Sequence, residues 1–184
     1  MRRSIIKALD LQASLERYEQ VFIRLKRRLN SLNHPQPNSH HCFVCGLKNP
    51  FGLQLTFYDN GEDEVRCEYS IPERYQGYPG LAHGGVVAAI LDEVVGRVSM
   101  IGDPMHFMMT ATMDLKYRQP VPLNTPLTIV GRMVKDRGRI AKAEGAVYLP
   151  DGSPAVEATL TLVDLPEQFA VTEDVVEQLG WKVY

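Results

Sequence analysis

Residues 81–96 read LAHGGVVAAILDEVVG, and the apolar character continues to Ile101. This stretch restricts the possible folds more than any other in the chain. It is long enough for a helix, yet the segments around it alternate apolar and polar residues with the period of strands. A helix that is hydrophobic on nearly every side has to be enclosed, and only those strands can enclose it. The expectation is an α+β domain in which an antiparallel sheet wraps around one long central helix.

The strands follow from period and turn chemistry. LQLTFYD (53–59) and EVRCEYSI (64–71) alternate, and the Asn60-Gly61 step between them favours a tight turn, which predicts a hairpin. Beyond the helix, ATMDLKY (111–117) places Ala111, Met113, Leu115 and Tyr117 on one face. LTIVGRMVK and IAKAEGAVYL then flank Asp136-Arg137-Gly138-Arg139, and AVEATLTLV follows Pro150-Asp151-Gly152-Ser153, so consecutive antiparallel pairing is expected. The resulting order is β-β-α-β-β-β-β. Thr172, with Glu173, Asp174 and a closing Gly180, marks a short C-terminal helix by its cap, first-turn acids and terminal glycine.

Ahead of this domain, Leu11, Leu15, Tyr18, Phe22, Leu25, Leu29 and Leu32 step by four and three, the spacing of one helical seam. Residues 1–32 therefore read as an amphipathic helix, 33–41 as a polar, proline-bearing linker, and 42–184 as the main domain. The helix is basic, with eight Lys or Arg against three acids in residues 1–30. Its seam would pack on the domain or a partner subunit, or its basic face would meet a membrane or an acidic partner.

Charge and composition exclude several classes. A net charge of −2 gives no reason to expect nucleic acid, and no run reaches the 18 or more apolar residues of a membrane span. The first twenty residues lack the apolar core of a secretory signal, and three cysteines do not make a disulfide framework, so a cytoplasmic location is the default expectation.

The central segment carries the chemistry. Gly84 and Gly85 would leave the first N–H groups of the helix uncovered at the positive end of its dipole, ready to hold an oxyanion. Two glycines also serve close packing or a sharp entry turn. Glu93 has Arg97 at i+4, the orientation of a helical ion pair. Asp92 has only Ala88, Ala89, Val95 and Gly96 around it in its own helix. It must meet a donor from a strand or second subunit, or open into a cleft as a catalytic base or nucleophile. His83 lies nine positions away, about two and a half turns, on the opposite face. The two cannot form a dyad within one helix, which leaves His83 to fix the entry loop. If the glycine N–H groups and Asp92 serve one reaction, the simplest arrangement takes one feature from each of two subunits.

With these residues in view, the chain resembles the hotdog-fold acyl-CoA thioesterases of the 4-hydroxybenzoyl-CoA and phenylacetate-pathway superfamily, especially the branch like mammalian thioesterase superfamily member 4. The matching stretches are CFVCGLKNPFGLQL, YQGYPGLAHGGVVAAILDEVVG and MTATMDLKYRQPVPL, within residues 42–123. The resemblance implies a homo-oligomer whose dimer joins two sheets, with active sites at the subunit interface and an acyl-CoA as substrate. It assigns the thioester carbonyl to the N–H of Gly84, the catalytic carboxylate to Asp92 of the other subunit, and an orienting role to Thr110. Gly77 and Gly96 stand where some relatives carry further polar groups. Lys116 and Arg118 on one strand, and Arg137 and Arg139 in a turn, are candidates for the coenzyme A phosphates, or are surface charges. Gly85 joins them as a candidate substrate contact. Met105, Phe107, Met108 and Met109 would line an acyl pocket or fill the core.

Cys42-x-x-Cys45 behind His40 and His41 is half a zinc site by spacing. There is no second such pair, and completing the site needs the histidines to bend back or Cys67 to approach. A redox pair would need a βαβ setting. The expected site accordingly has no metal and no cofactor besides the coenzyme A of the substrate. The rival readings are a non-catalytic acyl-CoA-binding or scaffold protein, which needs no Asp92, and a hotdog hydratase or dehydratase, which needs a His–Asp pair the helix does not supply.

Overall fold

The computed structural model describes residues 34–184. The N-terminal helix expected over residues 1–32 lies outside them.

Among the described residues, seven strands form one antiparallel sheet: β1 (His34–Pro35), β2 (Tyr58–Asp59), β3 (Glu64–Tyr69), β4 (Met108–Tyr117), β5 (Leu127–Asp136), β6 (Ile140–Tyr148) and β7 (Pro154–Asp164). Their order across the sheet is β1-β2-β3-β5-β6-β7-β4. The central helix α1 (Gly84–Gly96) continues as a 3-10 turn, Arg97–Met100, and a short helix α2 (Glu173–Leu179) follows the sheet. Thr172 caps α2 by accepting from the Val175 N–H, and Gly180 ends it in the left-handed region. No helix among the described residues is long and apolar enough to cross a membrane.

The expected consecutive pairing holds for β5, β6 and β7, and β4 stands outside that run. Instead of pairing with β5, β4 crosses to the far side and pairs with β7, becoming an edge strand. The long β4 thus keeps one side of its backbone without a strand partner among the described residues.

Helix α1 packs against β3, β4, β5, β6 and β7 of the sheet. Val87, Ile90, Leu91, Val94 and Val95 are each 1% exposed or less, and pack with Leu127, Ile129, Leu160 and Leu162 from the strands. Two glycines let the helix come this close. Gly131 and Gly145 face each other across β5 and β6, and a Cβ on Gly131 would sit 2.7 Å from the Val94 carbonyl oxygen and 2.9 Å from Val95 Cα. Within one chain the enclosure is one-sided. Gly84, Gly85 and Asp92 are exposed, and Ala88 and Gly96 only partly covered.

Two local expectations are corrected. The hairpin is only two pairs long, Tyr58↔Arg66 and Asp59↔Val65. Leu53, Leu55 and Phe57 are buried as their alternation requires, but Gln54 adopts a positive φ. Their backbone bonds go to residues 36–44 rather than to β3: Leu53 N to the Phe43 carbonyl, Leu55 N to that of Val44, and Gln36 N to that of Phe57. The segment read as a linker is also built into the fold. Gln36, Asn38 and Ser39 are buried, and the Asn38 amide donates to the carbonyls of Cys45 (2.7 Å) and Leu55 (2.6 Å).

Candidate active site

The entry to α1 is assembled from its own loop and from β4. His83 is the N-cap residue, and its Nδ1 accepts the Gly85 N–H at 3.0 Å. An imidazole that accepts at Nδ1 is neutral and carries its proton on Nε2. Gly85, a candidate substrate contact, therefore already spends its N–H on the cap. The Gly84 N–H has no acceptor among the described residues, and Gly84 is exposed. On its other side the Tyr117 hydroxyl donates to the Gly84 carbonyl at 2.8 Å. Gln76 Oε1 accepts from the Gly80 N–H and steadies the loop that leads to His83.

Asp92 lies eight residues along the same helix, about 12 Å away at 1.5 Å per residue. Its Oδ1 accepts a 2.7 Å hydrogen bond from the Thr110 hydroxyl on β4. A β-bulge makes this contact possible. Thr110 pairs with Leu162 and Thr112 with Thr161, so Ala111 is the extra residue. Ala111 thus does not share the face of Met113, Leu115 and Tyr117 as simple alternation predicts. The bulge instead brings Thr110 and Tyr117, seven positions apart, to the same helix-facing side.

Asp92 and Thr110 border a cleft of about 460 Å³ whose apolar lining includes Met100, Phe107, Met108, Met109, Leu179 and Trp181. Met105, grouped with these by sequence, lines a separate hollow with Val176 and Trp181. Leu179 and Trp181 arrive from α2 and the chain end, and no local pattern joins them to the motif stretches. Trp181 is nonetheless the only tryptophan in the chain.

The basic candidates divide between opposite ends of the sheet. Lys116 pairs across to Glu157, and the Arg118 Nε donates to the Glu157 carboxylate at 2.8 Å. Arg139 stands near Asp164, at 3.8 Å, where β4 begins. The six residue steps from Glu157 to Val163 span about 20 Å of strand, so one chain does not bring Lys116 and Arg118 together with Arg137 and Arg139. Lys116 and Arg118 also border the sheet face that carries Arg132 and Glu144.

Glu93 is more than half of a helical ion pair. Arg97 is 1% exposed, its guanidinium over the Phe57 ring at 3.8 Å, with Nη1 donating to the Pro37 carbonyl and Nε to Glu93 Oε1 at 2.9 Å. Its Nη2 lies 2.9 Å from the same oxygen but at an angle that leaves it without a hydrogen bond. The other carboxylate oxygen, Oε2, is 3.7 Å from Cys42 Sγ. Burial pushes the Glu93 carboxyl up to about 7 against the pull of Arg97. A hydrogen bond from the Cys45 thiol brings Cys42 down to about 7, and the same bond, with burial, raises Cys45 to about 12. Sequence reading assigned Glu93 to Arg97 alone and sought partners for the cysteines in His40, His41 or Cys67. Among the described residues, the group of His, Cys, Asp and Glu side chains close enough to hold a metal together is Cys42, Cys45 and Glu93.

Residues 79–155 match the family model described as "Thioesterase superfamily". Acyl-coenzyme A thioesterase THEM4 of Rattus norvegicus is 30% identical over 98 residues, 53% of this chain and 41% of the relative. Its Bos taurus counterpart is 32% identical over 98 residues, 53% of this chain and 39% of the relative. The chain thus spans about two fifths of the length of these curated relatives. A crystal structure of a thioesterase superfamily protein superimposes with a TM-score of 0.62 at 28% identity, covering 83% of this chain and 79% of the other. A Streptococcus mutans protein bound to acetyl CoA shares the fold, with a TM-score of 0.52 at 24% identity over 55% of this chain and 81% of its own. The sheet with its one central helix is the fold of these thioesterase structures, and residues 79–155 are similar to the thioesterase superfamily.

Proposed function

We propose that the chain hydrolyses acyl-coenzyme A thioesters to a free acid and coenzyme A, working as a homo-oligomer with its sites between subunits. The observation that carries this reading is the Asp92 carboxylate, held at 2.7 Å by Thr110 on the border of an apolar-lined cleft. The names of the THEM4 relatives support the substrate class.

The Gly84 N–H, free at the positive end of the helix, polarises the thioester carbonyl and receives the oxyanion as the carbonyl carbon becomes tetrahedral. Asp92 either takes a proton from the attacking water or attacks the carbonyl itself, giving a mixed anhydride that water then opens. In both routes the sulfur of coenzyme A leaves as the thiolate. The two features sit about 12 Å apart on one helix, too far to share a carbonyl group. A second copy joined along the open edge of β4 would set its Asp92 against the first copy's Gly84. The stripe of exposed Gly84, Gly85 and Asp92, with the partly covered Ala88, gives the two helices room to approach.

Two substitutions test the assignment by thiol release from a panel of acyl-CoA esters. Asp92→Asn should lower turnover by about 10²–10⁴. Gly84→Pro removes only the N–H, since proline is favoured at the first helical position and His83 before it is already extended. Its Cβ would meet nothing nearer than 3.6 Å, and a loss of about 10²–10³ is expected. Refolding the two variants together should restore about a quarter of wild-type activity, because half of random dimers are mixed and one of their two sites is intact. Undiminished turnover in Asp92→Asn refutes the mechanism. Wild-type protein that releases no thiol from any ester but binds them is a binding protein instead.

A further inference from the structure

The proposed hydrolysis makes no use of the cysteine pair, although the fold devotes several contacts to it. Cys42 Sγ receives the backbone N–H groups of Val44 at 3.3 Å and Cys45 at 3.5 Å. Cys45 is 2% exposed, and its sulfur lies 3.4 Å from Ser39 Oγ. Gly46 closes the loop through its N–H to the Cys42 carbonyl at 3.0 Å, and a Cβ there would run into the Cys42 backbone. Two sulfurs are thus presented on one side of a tight loop that any other residue at position 46 would open.

A carboxylate completes the group. Glu93 Oε1 is taken by Arg97, which turns Oε2 toward the sulfurs, and the three candidate ligand atoms lie within 4.8 Å of one another. Zinc–sulfur and zinc–oxygen bonds of about 2.3 and 2.0 Å at a tetrahedral angle put sulfur and oxygen about 3.5 Å apart. The distance from Cys42 Sγ to Glu93 Oε2 is 3.7 Å. Two thiolates, a carboxylate and the Arg97 guanidinium sum to two negative charges, which a divalent cation neutralises. A disulfide would leave Glu93 facing the sulfurs with nothing to bind.

We propose that Cys42, Cys45 and Glu93 form a binding site for a thiophilic divalent cation of the zinc class, with its fourth position open to the cleft beside Asp92. Soft thiolates select such an ion over magnesium or calcium. Arg97 acts as the outer partner that orients the carboxylate. The ion would tie the loop of residues 39–46 to the helical turn that carries Asp92. Hydrolysis as proposed needs no metal, so this site stands or falls independently of it.

The test uses the full 184-residue chain without an affinity tag. Metal content after desalting should approach one zinc per chain. The metal-stripped, reduced protein titrated with Co2+ should develop intense sulfur-to-cobalt charge-transfer absorption and the visible bands of a tetrahedral ion. Cys42→Ser and Cys45→Ser should each lose the charge-transfer bands or halve them, and His40→Ala/His41→Ala should leave them intact. Glu93→Gln should weaken Co2+ affinity at least about tenfold while keeping the sulfur bands. Because that change strips Arg97 of its counter-charge, Glu93→Asp, which keeps the charge and shortens the reach, serves as a second variant with the same expected direction. Zinc content no higher in wild type than in the double cysteine variant overturns the proposal. So does reduced protein that gains no charge-transfer bands with Co2+, including protein isolated with a Cys42–Cys45 disulfide, and so does loss of the metal on removal of the two histidines.

Discussion

At the scale of single residues, Thr110 decides where the Asp92 carboxylate points. The bond from its hydroxyl fixes one carboxylate oxygen and leaves the other for the hydrolysis proposed above. Thr110→Val keeps the shape and removes the donor. It should lower kcat by up to about 10²-fold with little change in KM, as expected when a reacting group is misplaced by about an ångström. Thr110→Ser should recover most of the loss, and steady-state kinetics on the three proteins checks both statements. The sequence made Asp92 conspicuous, since a carboxylate in an apolar helix with no local partner needs an explanation. It concealed the contact of Thr110 with Asp92, and a role for Thr110 was suggested only by resemblance. It also concealed the second contact of Glu93, because the i+4 pair with Arg97 satisfied the reading while Cys42 lies 51 positions away.

At the scale of elements, the bulge in β4 and the glycine pair under α1 do the positioning. Alternation could not reveal the bulge, because either half of MTATMDLKY alternates acceptably and only the join is out of phase. Deleting Ala111 would restore a regular strand, turning either Thr110 or Tyr117 away from the helix. The expected outcome is a protein with a near-native far-UV circular dichroism spectrum whose thiol release falls at least about 10²-fold. The glycines answer to packing instead. Gly131→Ala forces a methyl against the Val94 carbonyl and should destabilise the fold by about 1–3 kcal/mol, read as a lower urea midpoint at unchanged slope. The strand pairs β5–β6 and β6–β7 were legible because each is joined by a short turn with strong local chemistry. The buried segment 34–39 was not. Gln36 and Asn38 are covered because their amides bond to distant groups, a reason for burial that polarity and proline content do not show.

At the scale of the molecule, the described residues leave an open edge on β4 and an uncovered stripe on α1, the two places where the proposed second copy would join. If a second copy supplies the missing half, specific activity must depend on protein concentration. Serial dilution should lower turnover per chain along the same curve that mass photometry gives for dissociation of the 20.7 kDa protomers. Turnover per chain that stays constant while single protomers predominate would remove the shared-site reading. The strand order has a further consequence, for the sequence of events in folding. β4 is made directly after the helix, yet its only strand partner among the described residues, β7, leaves the ribosome after β5 and β6. The segment bearing Thr110 must therefore wait, unpaired, until nearly the whole domain has been synthesised. A chain cut short before residue 154 could close β5 on β6 but could never hold the carboxylate of Asp92 in place.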